Sequence, residues 1–436
     1  MRIHNREELS KIREMAAGKV SSTKCRILIC AGTGCLAGGS GEIYEKMCEL
    51  TKDCKDVDVE FGPEIAHGSE HPVAVKRSGC HGFCEMGPLV RIEPEGILYT
   101  KVKLSDCEEI VEKTIMENDE FKVNLFKYSS DVEAIEVTNS RGKIIVLPYM
   151  GQMIWRVEFD GIDLTMRNMF SRPRKVNNIL DTYGCFAFHS GILANGCPSS
   201  EDTHPMHGEF CCADLDTTWL EFSDDEVIIG GEYEYCQGFG FKYLARPSVS
   251  LKANATNIKI SMQVKNLTSV EMPLQYMCHI NHHYVDKGEF KANIPDEAFK
   301  LRESIPSHIK PTKEWFDYTD EIKKAQVEGK TLTKLENPDL YNTEVVFLAD
   351  RLDKYTEEAI VEINSPEGYG FRTQFLTKDF KYGTRWIMYT PEQQVSSCII
   401  PGTCRPEGFL AAKKAGSLLM LQPDEEKTFS VITGLK

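Results

Sequence analysis

The sequence predicts an α/β domain over residues 1–118, a linker over 119–127, and an all-β sandwich with a small helical insertion over 128–436. Three observations predict it. The 436-residue chain is long enough for two or three separate cores. Its first part alternates helical and extended hydrophobic patterns and closes on a hairpin and a helix, the order of a small α/β unit. From Val132 onward come more than a dozen short alternating strands broken by turn residues, the signature of an antiparallel sandwich.

In the first domain, Arg6 to Ala17 places Leu9, Ile12 and Met15 at helical spacing. Lys24 to Cys30 reads as a buried strand. Ser40 caps a helix through Lys52 whose Ile43, Met47 and Leu50 share one face. Val57–Phe61 and Val73–Arg77 are strands, and Leu89–Ile92 with Ile97–Val102 form a hairpin about Glu93-Pro-Glu-Gly96. Ser105 opens a last helix to about Met116, with Ser105 and Glu108 spaced as a capping box. In the second domain the strands run from Ala134–Thr138, Lys143–Leu147 and Ile154–Phe159, through Leu274–Ile280 and Glu344–Leu348, to Trp386–Tyr389 and Thr428–Ile432. Over 312–329, Trp315, Phe316, Tyr318 and Ile322 recur at helical spacing among charges, which predicts a helical insertion.

A net charge of −15 argues against nucleic acid or an anionic membrane as partner, since both require basic patches. No apolar run approaches the ~20 residues of a membrane span. The charged start, Met1-Arg-Ile-His-Asn-Arg, lacks the apolar core of a signal peptide, and sixteen cysteines without export imply a reducing, cytoplasmic setting.

Two cysteine pairs carry the first chemistry. Cys30 and Cys35 flank Ala-Gly-Thr-Gly after an apolar strand, and Cys80 and Cys84 flank His-Gly-Phe after a second one. Each pair lies in a glycine-bearing turn that can fold about an inorganic group and aim N–H donors at its sulfurs. Four thiolates in two close pairs are what a rhombic iron–sulfur cluster requires. Structural zinc favours Cys-x2-Cys and matches these spacings poorly; zinc and a disulfide framework stand as the alternatives.

Residues 1 to about 118 resemble the thioredoxin-like 2Fe–2S ferredoxin domain that begins the flavin-bearing subunit of electron-bifurcating hydrogenases and related NADH dehydrogenase subunits. Cys30-Ala-Gly-Thr-Gly-Cys35, Gly79-Cys80-His-Gly-Phe-Cys84-Glu-Met-Gly-Pro88 and Tyr99-Thr-Lys-Val102 carry the resemblance. It implies that Cys30, Cys35, Cys80 and Cys84 bind the iron of a 2Fe–2S cluster. It also implies a flavin- or iron–sulfur-containing oxidoreductase subunit as electron partner, in a low-oxygen setting. Those relatives continue into a flavin- and NADH-binding domain; this chain turns to β-strands, so FMN and NAD are not implied.

Residues from about 125 to 436 resemble the aldose 1-epimerase (galactose mutarotase) superfamily, closest to an uncharacterised branch of it. The matching pieces are Gly191-Ile-Leu-Ala-Asn-Gly-Cys-Pro198, His204-Pro-Met-His-Gly-Glu209, Tyr276-Met-Cys-His-Ile-Asn281 and Pro401-Gly-Thr-Cys-Arg-Pro-Glu-Gly408. Interconverting anomers needs an acid at the ring oxygen and a base at O1, so two groups must flank one pyranose. The resemblance implies His279 as the acid, with Asn281 on the same strand face. It adds His207 and Glu209 to the catalytic set, and His204, Gln275, Asn281 and His283 to the sugar contacts.

Asn281-His-His-Tyr284 also matches the family's wording, which makes His282 a rival acid. The family's base, a glutamate before the Pro-Gly-Thr-like turn, falls on Ile399-Ile400, leaving Glu407 or Glu209 as substitutes. His204, His207, Glu209 and His279 could instead hold a metal. Trp155, Tyr235 and Phe239 could stack on a sugar or pack in the core.

The expected function is a 2Fe–2S electron-transfer protein fused to a sugar-binding domain, within a carbohydrate-linked redox assembly that could be oligomeric. The alternatives are an active aldose 1-epimerase or sugar isomerase whose ferredoxin domain serves recruitment or redox sensing, and a non-catalytic carbohydrate-binding module with a structural cluster.

Overall fold

The computed structural model describes residues 25–51, 58–60, 73–78, 84–93, 97–115, 121–223, 225–306 and 309–436. The helix expected over Arg6–Ala17, and Cys80, lie outside them. The described residues divide into two compact units between Asn124 and Leu125.

The smaller unit carries a five-stranded mixed sheet in the order Asp58–Glu60, Val73–Ser78, Cys25–Cys30, Val90–Glu93, Leu98–Tyr99. The central strand Cys25–Cys30 pairs parallel to Val73–Ser78 and antiparallel to Val90–Glu93. Helices Ser40–Thr51 and Cys107–Ile115 pack on each other. Ile43, Tyr44 and Met47 from one, and Ile110 and Val111 from the other, join Ile27, Ile29, Val90 and Ile92 in one core. The expected capping box at Ser105 gives way to a 3₁₀ turn, Leu104–Asp106, ahead of the last helix. Asp106 takes the capping role: its Oδ2 accepts from the Lys103 N–H at 2.8 Å and its Oδ1 from the Ser105 hydroxyl at 2.9 Å. Within the stretch read as a linker, Lys122–Lys127 is a strand. Its buried Val123 between exposed Lys122 and Asn124 supplies the alternation of a half-buried edge.

The larger unit is a sandwich of a twelve-stranded and an eight-stranded sheet, with a two-stranded pair of Met272–Leu274 and Leu419–Leu421. The centre of the larger sheet runs Val345–Asp350, Tyr382–Tyr389, Ile400–Gly402, Met277–Ile280, Ala187–Ser190, Met153–Phe159. The smaller sheet is centred on Asn257–Asn266, Glu426–Leu435 and Gly370–Leu376. Strand alternation sends Tyr276 and His282 toward the smaller sheet, where they meet Phe429 and Phe371. Met277 and His279 face the other way, and a second apolar cluster covers that face, including Trp155, Phe188, Trp386 and Met388. The expected helical insertion is Lys313–Val327, capped by Thr312, whose hydroxyl accepts from the Trp315 N–H at 3.2 Å. Among the described residues, no helix is long and apolar enough to cross a membrane.

Candidate functional site

In the smaller unit, Cys30 ends the central strand and Cys35 sits in the short helix Thr33–Ala37, both 1% exposed. The backbone turn Cys84–Met86 packs beside that helix, so the backbone at Cys84 comes close to the segment that carries Cys35. Gly38 permits the approach: a Cβ there would lie 3.2 Å from Pro88 Cδ. Two buried sulfur donors on a short glycine-bearing turn suit a soft, thiolate-bound metal group.

In the larger unit, a cavity of about 370 Å³ opens on the outer face of the twelve-stranded sheet. Alternate residues of three strands form its floor: Met277 and His279, Thr384 with Trp386 and Met388, and Ile400. Loops supply Met206, His207, Tyr183, Arg302 and Glu344 to its walls.

Two histidines stand in the cavity with ring centroids 4.8 Å apart and planes at 85°. His279 is cross-strand partner to Phe188, which lies flat against it at 4.5 Å. Its Nδ1 is 2.8 Å from Asn281 Oδ1, and the Asn281 amide nitrogen donates to the Cys185 carbonyl at 3.0 Å. With the amide so oriented, Asn281 Oδ1 can only accept, so neutral His279 carries its proton on Nδ1. Nε2 is then the acceptor for the Tyr183 hydroxyl, 3.2 Å away. Burial, and then the neighbouring His207, hold the His279 pKa well below the usual histidine value, which keeps the ring neutral at pH 7. Burial likewise pushes the Tyr183 phenol well up.

His207 adopts a left-handed backbone, φ 60°, which costs a non-glycine residue roughly 1–2 kcal/mol. Backbone bonds pin it there: its N–H donates to the Gly196 carbonyl, and its own carbonyl accepts from the Gly191 N–H, each at 2.9 Å. Its Nδ1 lies 3.2 Å from Ser190 Oγ.

Of the other polar and aromatic residues proposed for the sugar site, none lines this cavity. Glu209 Oε1 accepts from the Ile192 and Leu193 N–H groups at 3.0 and 2.9 Å and from the Tyr243 hydroxyl at 2.9 Å, which makes it the anchor of the 191–197 loop. Gln275, fully buried, accepts from the Asn195 N–H at 3.1 Å. His204 accepts at Nε2 from the Phe409 N–H at 3.3 Å. His283, beyond the end of the strand Met277–Ile280, donates its N–H to the Leu164 carbonyl at 2.8 Å, and Glu407 accepts from the Ser304 hydroxyl at 2.7 Å. His282 lies between the sheets, its Nε2 3.0 Å from Thr433 Oγ1. Trp155 is core, Tyr235 stacks on Tyr243 at 4.9 Å, and Phe239 stands fully exposed at a hairpin tip.

The cavity also holds groups that sequence reading missed. Glu344, immediately before a strand, accepts from the Trp386 indole N–H at 2.7 Å and pairs with Arg302. Tyr183 comes from an irregular loop with no periodic signal. Ile400 presents a hydrocarbon side chain to the cavity where the resemblance places a glutamate.

A two-sheet β-sandwich of this topology, with a histidine pair on the outer face of one sheet, has the aldose 1-epimerase fold. The crystal structure of a candidate aldose 1-epimerase from Klebsiella pneumoniae superposes with a TM-score of 0.60 at 14% identity, covering 72% of this chain and 83% of that one. No family model matches the chain. A 2Fe–2S ferredoxin from Clostridium pasteurianum is 37% identical over 93 residues, 21% of this chain and 78% of the ferredoxin. One from Aquifex aeolicus is 30% identical over 79 residues, 18% of this chain and 60% of the ferredoxin. Through its N-terminal part the chain belongs to the 2Fe–2S ferredoxin family, here fused to an aldose 1-epimerase-like β-sandwich.

Proposed function

We propose that this protein is an electron-transfer protein whose β-sandwich binds a sugar without turning it over, in a carbohydrate-linked redox assembly. The first half rests on membership of the ferredoxin family and on the two buried cysteines. Cys30, Cys35, Cys80 and Cys84 hold a 2Fe–2S cluster in a thioredoxin-like domain. Bound there, the cluster supplies one-electron transfer to or from a flavin- or iron–sulfur-containing partner. The chain's own part is to bury the thiolates and shield them from water. With its reduced thiols, such a protein belongs in the cytoplasm.

For the sandwich, the observation that carries the reading is Ile400. Anomerisation requires a base near O1, and an isoleucine stands at the position where the resemblance expects one. The acid is disarmed as well. Neutral His279, with its proton on Nδ1, has none to give from the nitrogen that faces Tyr183. What is left is a concave site with a tryptophan in its floor, two imidazoles and a tyrosine hydroxyl, suited to holding a ring and its hydroxyls. Anomerisation also changes no oxidation state and would give a cluster nothing to do.

An active epimerase is the second reading, favoured by the 4.8 Å spacing of the two imidazoles. Proton exchange spectroscopy on a panel of aldoses, with wild type and His279→Ala side by side, separates the two. No acceleration of α/β exchange by wild type, with sugar still bound, is the expected result. Acceleration that disappears in His279→Ala overturns it in favour of the epimerase.

A further inference from the structure

A second cavity, of about 200 Å³, opens at one end of the sandwich. There the strands Val345–Asp350 and Gly370–Leu376 end, and Tyr382–Tyr389 and Glu426–Leu435 begin. It shares no lining residue with the histidine cavity. Arg351, Lys378, Lys381 and Lys427 stand in its wall, and Asp379 is the one acidic residue there among the described residues. In a chain with 66 acidic and 51 basic residues, four cations about one small cavity run against the overall balance.

The packing of the sandwich holds these cations in place. Phe380 is fully buried and packs on Phe429 at 5.4 Å, which pins the turn carrying Lys378 and Lys381. The Leu352 N–H donates to the Lys381 carbonyl at 2.9 Å, so Arg351 is brought to the same wall. Lys427 comes two residues before Phe429 on the same strand face, half-buried, with its Nζ 6.0 Å from the Phe429 ring.

The charges of these cations are only partly answered. Asp353 takes Arg351 in a two-pronged pair at 2.9 and 2.8 Å, and Asp350 is already taken by Arg405, whose Nε donates to Oδ1 at 2.8 Å. Among the described residues, Lys378, Lys381 and Lys427 form no ion pair, whereas Lys242, Lys265 and Lys436 elsewhere in the sandwich each do. Set against Asp353 and Asp379, the four cations leave two positive charges over. A half-buried ammonium without a counter-ion is costly, so Lys427 in particular calls for an anion.

Two uncompensated charges match the dianion that a phosphate monoester forms above its second pKa of about 6. Tyr382 and Ser417, hydrogen-bonded to each other, add hydroxyls to the wall, and Leu418 and Leu419 add half-buried hydrocarbon. The volume is below the roughly 300–1,000 Å³ of pockets for drug-sized ligands, which suits a small metabolite rather than a nucleotide. We propose that this cavity binds the phosphoryl group of a small phosphate monoester through Lys378, Lys381 and Lys427. The organic part of the ester rests against Leu418 and Leu419.

Titration calorimetry on the full-length protein with its cluster in place tests this. Glycerol 3-phosphate is the probe, with glycerol, inorganic phosphate and AMP beside it. The probe is expected to bind, glycerol not to bind, and inorganic phosphate and AMP to bind several-fold more weakly than the probe. Lys381→Gln and Lys427→Gln should each weaken glycerol 3-phosphate about tenfold, the loss of one charge-assisted contact. Lys259→Gln, which removes an exposed charge from the strand Asn257–Asn266, should leave its affinity unchanged. Raising sodium chloride from about 50 to about 300 mM should weaken binding several-fold. No binding of glycerol 3-phosphate, or an equal loss in Lys259→Gln, overturns the proposal. Binding that survives both lysine variants and disappears in His279→Ala moves the phosphate to the histidine cavity and overturns it as well. Inorganic phosphate or AMP binding as tightly as glycerol 3-phosphate overturns the assignment to a small monoester.

Discussion

His189, His279 and His282 in the sandwich are buried and held neutral by that burial. His189 and His282 are pushed down to about 3, and His279 well below its ordinary value. An unfolded chain binds protons at these sites near pH 6.5, so below that pH the unfolded state takes up protons that the native state refuses. Stability is therefore in place above pH 6.5 and is lost as pH falls toward 3, with each site adding a slope of up to about 1.4 kcal/mol per pH unit. Thermal scans between pH 7.5 and 4 should show the midpoint falling steeply, and His282→Gln should fall less steeply over the same range. Parallel pH dependences in the two proteins would mean that His282 is not a buried neutral group. At this same scale Asn281 does more than the sequence pattern shows. Its amide, locked by the Cys185 carbonyl, decides which nitrogen of His279 carries the proton.

The loop bearing His207 is the element on which the site depends. Gly208 has φ 82°, and a Cβ there would lie 2.2 Å from the Ala194 carbonyl oxygen and 2.5 Å from that of Gly191. Gly208→Ala must move backbone that also positions His207, at a cost of about 2 kcal/mol or more. Gly329 has nearly the same φ, 78°, but nothing within 4 Å of the added carbon, so Gly329→Ala should cost only about 1 kcal/mol. Denaturant unfolding of the two variants compares these costs directly. A Gly208→Ala protein as stable as Gly329→Ala would show that the loop yields easily, and the account of His207 would fail. Glu209 belongs to the same element. The resemblance gave it a catalytic part, and its three accepted hydrogen bonds make it the post to which residues 192–193 are fastened.

For the whole molecule, two compact units with separate cores predict two separable unfolding events. Because a metal group stabilises only the fold that holds it, Cys30→Ser should abolish cluster absorbance and lower the transition of the smaller unit. The transition of the sandwich should stay where it was, read by calorimetry on anaerobically prepared protein. An intact cluster in Cys30→Ser would remove that residue from the ligand set. A shift of both transitions together would show that the units unfold as one.

The sequence by itself determined the class of both units, because hydrophobic period and turn residues are local properties. Alternation marked the strands from Ala134 to Ile432, and helical spacing with Thr312 as cap marked the insertion at Lys313–Val327. The two cysteine pairs stand out in the sequence because spacing along a turn is also a local pattern. The face on which a residue lies was legible only where the strand register was known. His279 and His282 are three residues apart and read alike in the sequence, yet strand alternation puts one in the cavity and the other between the sheets. Tyr183, Arg302, Glu344, Trp386 and Ile400 come from separate strands and loops across more than 200 residues and meet in one cavity. Their meeting is a long-range property of the sandwich. Only the folded structure decides it, because sheet pairing fixes which side chains share a face and loop anchoring fixes which of them reach it.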